Sequence, residues 1–138
     1  MKLKILILFC LCFAQMVNAE LTIEITKGSD SALPIAVVPF ANKGGAALPH
    51  DIARIVANDL QRSGVFDTLS TSSMLSLPES SSQVIFRDWR MLAQNYILVG
   101  NINYLHASKK YQIVYELIDV NSQKRLLGEK VSSTAKGL

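Results

Sequence analysis

Few side chains in this sequence stand at spacings that could do chemistry. The two histidines are His50 and His106, and neither has a second ligand at a metal-binding spacing such as i+4. Asp51 and Asp59 lie two helical turns apart and could pose as paired acids. Asp59, however, has Arg62 three residues on, the spacing of a solvated ion pair. Serines are frequent, yet none occupies a Gly-x-Ser-x-Gly elbow. Gly44-Gly45 lacks the Lys-Ser/Thr that follows the glycines of a phosphate-binding loop, and reads as a connector. Trp89 could stack on a ligand, but its spacing from Phe86 suits a helix that turns both rings into a core. The residues by themselves therefore point to no catalytic centre, no cofactor and no metal, and leave open at this point only an active site assembled from distant residues, as in a small hydrolase.

The leader removes what reactive chemistry remains. Lys2 and Lys4 precede an apolar run over residues 5–13, and Val17-Asn18-Ala19 is a small-residue cleavage site before Glu20. That is the pattern of a secretory signal peptide over residues 1–19, cut between Ala19 and Glu20. The apolar run is well short of the roughly 20 residues a membrane span needs. Cys10 follows Phe9 and Cys12 follows Leu11, so neither has the small neighbour of a lipidated cysteine. Both depart with the leader, and the mature chain is expected to form no disulfide and no thiolate metal site. Without Lys2 and Lys4 the 14 basic residues fall to 12 against 11 acidic ones, a net of +1. Such a balance makes no electrostatic case for nucleic acid or a membrane surface. The expectation is an exported domain with no membrane span in its mature part.

The elements follow from periodicity. Residues 20–26 alternate, with Leu21, Ile23 and Ile25 on one side and Thr22, Glu24 and Thr26 on the other. Lys27-Gly28-Ser29-Asp30-Ser31 then reads as a polar hinge. Residues 35–40 are apolar and rich in β-branched side chains, the mark of a strand covered on both faces. A helix is predicted over residues 49–62. Asp51 stands at its positive end, Ile52, Ile55, Val56 and Leu60 form one stripe, and Gly64 stands just beyond the end. A short strand at 65–69 precedes a serine-rich irregular stretch at 70–82, with a short helical piece at 72–77. Residues 86–94 read as a second helix. Strands at 96–105, 111–120 and 125–133 complete an antiparallel meander, and Gly100 marks a bulge or a close backbone approach. The fold class is α+β: a mixed or antiparallel sheet of about five strands with helices packed on one face.

These pieces, taken in order, resemble a known family. Gly28-Ser29-Asp30, the run from Pro34 to Phe40, Asp51-Ile52, Ile55-Val56, Asp59-Leu60, Ser63-Gly64 and Phe66 look like the amino-terminal domain of the TolB family. Trp89, Ile97-Leu98-Val99-Gly100 and Tyr115-Glu116-Leu117-Ile118-Asp119 continue the likeness in register. The resemblance implies a non-enzymatic periplasmic component of the Tol-Pal envelope system, which supports outer-membrane integrity and constriction at cell division and is exploited by colicins. It implies that the C-terminal domain of TolA is bound by the mature N-terminal stretch. That stretch falls on Glu20, Leu21, Thr22, Ile23, Glu24, Ile25, Thr26, Lys27, Gly28, Ser29, Asp30 and Ser31. The implied organisation is a signal peptide (1–19), a mobile partner-binding segment and hinge (20–33) and an α/β domain (34–138). The family's last helix and its β-propeller, the docking site for the lipoprotein Pal, would lie beyond. Without them Pal binding is expected to be weak or lost, one sheet face to show apolar side chains, and stability to be marginal. An accessory factor of outer-membrane secretion or cell-wall synthesis is the alternative reading, because such factors carry similar strands.

Overall fold

The computed structural model describes residues 32–44, 48, 50–134 and 137. The expected leader and the expected partner-binding stretch at 20–31 lie outside the described residues.

A mixed sheet organises the described part. In chain order its strands are β1 (Leu33–Val37), β2 (Ala41–Asn42), β3 (Phe66–Thr68), β4 (Tyr96–Leu105), β5 (Lys110–Asp119) and β6 (Lys124–Ser133). Their order across the sheet is β3-β1-β4-β5-β6, with β2 also paired to β4. β1 runs parallel to both β3 and β4, whereas β4, β5 and β6 form the antiparallel meander that the alternating sequence predicts.

The central apolar run behaves as expected of a strand covered on both faces: Ile35, Ala36, Val37 and Val38 are all buried. Its ladder ends sooner than its composition suggests. Val38 still donates to the Leu98 carbonyl (2.9 Å), but Pro39 has no N–H to offer, and pairing resumes only at Ala41–Asn42.

Two helices pack on this sheet. In α1 (Ile52–Arg62) the Asp51 carboxylate caps the first turn by accepting from the Arg54 N–H at 3.1 Å. Gly64 ends the helix with φ +71°, a conformation that costs glycine little. Asp59 and Arg62 pair on the exposed side. Ile55 departs from the predicted stripe and is 45% exposed. The buried arc is centred on Ala53, Val56, Ala57 and Leu60, which face Val37 and Leu98, and Ile55 lies round the far side. α2 (Phe86–Met91) is shorter than the predicted 86–94, and two 3-10 turns (Thr71–Ser73 and Ser81–Gln83) replace the single helical piece expected at 72–77.

The α+β class and the mixed sheet are as expected, but the helices do not share a face. α1 lies over Val37 and Leu98, while Trp89 of α2 packs with Ala36, Val38, Ile97, Val99 and Ile118. Successive strand residues point to opposite faces, so these are the two sides of one sheet. Trp89 is 1% exposed and forms the centre of the second core, as its spacing predicts. Each fully buried Val, Ile or Leu here contributes about 1.5–3 kcal/mol relative to exposure. Gly100 is a close approach rather than a bulge: a Cβ there would meet the Val114 carbonyl oxygen at 2.8 Å. The bulge falls instead between Leu117 and Ile118, opposite Leu126 of β6.

Candidate functional site

The predicted site residues, Glu20 to Ser31, fall outside the described part, but the place where they join it is defined. β1 begins at Leu33, whose N–H donates to the Val65 carbonyl at 2.8 Å, and Leu33 to Ile35 are in register with Phe66 to Thr68. The stretch before β1 is thus attached to a strand with partners on both sides. Leu33, 37% exposed, also stands at one end of an apolar trough on the α1 face of the sheet.

The trough runs beside α1 over β5 and β6. One end, a space of about 400 Å³, is bounded by Leu33, Leu117, Leu126 and Leu127; the other, about 350 Å³, by Phe40, Ile52 and Val131. Val56, Leu98 and Tyr115 line both. Leu126, Leu127 and Val131 are 54%, 44% and 46% exposed, so the apolar exposure expected on one sheet face is present. It arises because α1 packs over β1, β3 and the near side of β4 and leaves the β5–β6 side of the same face uncovered among the described residues. β6 is also an edge strand over ten residues, with Lys124, Arg125 and Lys130 along it. Charges of that kind discourage edge-to-edge pairing.

A smaller crevice of about 330 Å³ lies at the carboxyl ends of β1 and β3, lined by Asp51, Arg54, Asn58, Ser70 and Thr71. Part of its polar lining is engaged in structure. Asp51 caps α1, and the Thr68 hydroxyl and N–H both donate to the Gln61 side chain at 2.9 and 2.8 Å. His50 is exposed before α1, and His106 packs edge-on against Tyr104 with ring centroids 5.0 Å apart. Among the described residues no three His, Cys, Asp or Glu side chains are grouped to hold a metal ion, and no helix is long and apolar enough to cross a membrane.

The shifted carboxylates are structural. Burial pushes the Glu116 carboxyl up, but the Ser81 N–H (2.8 Å) and the Arg125 guanidinium (2.9 Å) outweigh it and hold the group below its ordinary value. Glu116 thereby ties the loop before α2 to β5 and β6. Asp119 is lowered by the Ser122 and Asn121 N–H groups of the last turn. Sequence reasoning missed the Glu116 link, since 35 residues separate Glu116 from Ser81.

Comparison with known proteins agrees with this architecture. The TolB amino-terminal domain model matches residues 21–126. The Tol-Pal system protein TolB of Hahella chejuensis is 42% identical over 138 residues, all of this chain and 32% of the relative. That of a Marinomonas species is 50% identical over 115 residues, 83% of this chain and 26% of the relative. The chain thus spans about a third or less of the length of the curated relatives it matches. Among solved structures, TolB from Acinetobacter baumannii superposes with a TM-score of 0.62 at 31% identity, over 77% of this chain and 24% of that one. The C-terminal domain of LpoB from Salmonella enterica gives 0.58 at 14% identity, over 78% and 88%, which is a likeness of fold alone. The match of the family model over residues 21–126, together with the 42% identity over the full chain to a protein named as TolB, places this chain in the TolB amino-terminal domain family.

Proposed function

We propose that this chain is a non-enzymatic periplasmic adaptor of the Tol-Pal system that binds the C-terminal domain of TolA through residues 20–31. The observation that carries the reading is the extent of the family match, which begins at Leu21 and so includes nearly all of the alternating stretch. An alternating segment with free N–H and C=O groups binds by strand addition. Main-chain hydrogen bonds supply affinity, and Leu21, Ile23 and Ile25 fill pockets on the partner. The hinge from Lys27 to Ser31 lets that strand reach a partner while β1 holds its other end. Residues 1–19 act as a signal peptide cut between Ala19 and Glu20, which delivers the domain to the periplasm. In this role the chain supports outer-membrane integrity and constriction at division, and gives colicins a route of entry.

The test is a calorimetric titration of the TolA C-terminal domain into the mature chain with and without residues 20–31. Binding that vanishes on deletion supports the adaptor role and assigns it to the segment. Equal binding by both chains moves the site into the domain body and discards strand addition. No binding by either, from chains shown to be folded, removes the TolA assignment.

A further inference from the structure

We draw no further inference here: the strongest candidate, the apolar trough beside α1 over β5 and β6, is an uncovered sheet face, and nothing in the structure shows what covers it.

Discussion

Gly100→Ala tests the packing logic of the sheet most directly. Gly100 sits in the middle of β4, opposite Tyr115 of β5, on the face shared with α1. A methyl group there would stand 2.8 Å from the Val114 carbonyl oxygen and 3.0 and 3.1 Å from two ring carbons of Phe40. The two walls differ. The Phe40 ring is half-buried and can swing, but the Val114 carbonyl belongs to β5, which is paired with β4 on one side and β6 on the other. Moving it disturbs both ladders. Overpacking of this kind costs about 1–3 kcal/mol. Replacing a strand glycine recovers about 0.5–1 kcal/mol of backbone entropy. The expected net loss is therefore about 0–2.5 kcal/mol, which for a domain near this size lowers Tm by about 4–8 °C per kcal/mol. Urea unfolding of both chains, with unchanged m-values, measures it. Combining Gly100→Ala with Phe40→Leu separates the walls. The double variant should recover only part of the coupling, because the carbonyl contact persists. A Gly100→Ala protein more stable than the parent would refute the reasoning, and full rescue by Phe40→Leu would show that the ring alone limits the site.

Three further outcomes are expected. Glu116 has a lowered folded pKa, so its contribution is present above its unfolded pKa and is lost as pH falls through the folded one; Glu116→Gln should cost about 1 kcal/mol at neutral pH and flatten the acid limb of a stability–pH curve, and an unaltered limb would show that other carboxylates govern it. Asp51→Ala removes the cap on α1 and should cost about 1 kcal/mol in denaturant unfolding, whereas Asp51→Asn should retain most of the stability. Leu127→Lys in the trough, at a residue 44% exposed, should change stability by less than about 1 kcal/mol while reducing binding of a dye that reports exposed apolar surface. A loss above about 2 kcal/mol would mean that the trough is closed in solution.

What could be read from the chain in advance was whatever depends on neighbours in sequence. The alternation of Tyr111, Ile113, Tyr115 and Leu117 against Gln112, Val114, Glu116 and Ile118 sorts β5 onto its two faces as observed. The Asp51 start and Gly64 stop bracket α1 for the same reason: caps are local chemistry. Trp89 was legible as core, but not which core. An apolar stripe on α2 states that the helix buries a face, and only the crossover from β3 to β4 decides which side of the sheet it meets. The parallel pairing of Ala41–Asn42 with β4, and the Glu116 link to Ser81, join residues far apart in sequence and leave no periodic trace. That Leu126 and Leu127 would carry the exposure expected of one sheet face was hidden likewise, since their apolar character would suit a covered strand equally well. The stretch at 20–26 shows its alternation in the sequence, while a partner for it is implied by family likeness alone.

The mixed sheet also sets an order of assembly. β4, β5 and β6 meet through short turns, so their contacts close small loops and form at little entropic cost. β1 finds its β4 partners about 60 residues away, where Ile35 meets Tyr96. β3 depends on β1 for its place in the sheet, because it pairs with no other strand among the described residues. During synthesis β1 emerges about 30 residues before β3 and about 60 before β4, so its second ladder forms late. The meander is thus the template, and the parallel edge is the last part of the sheet to close. Residues 20–31 precede β1 directly in the chain, so they are joined to the side of the sheet with the longer loops rather than to the meander.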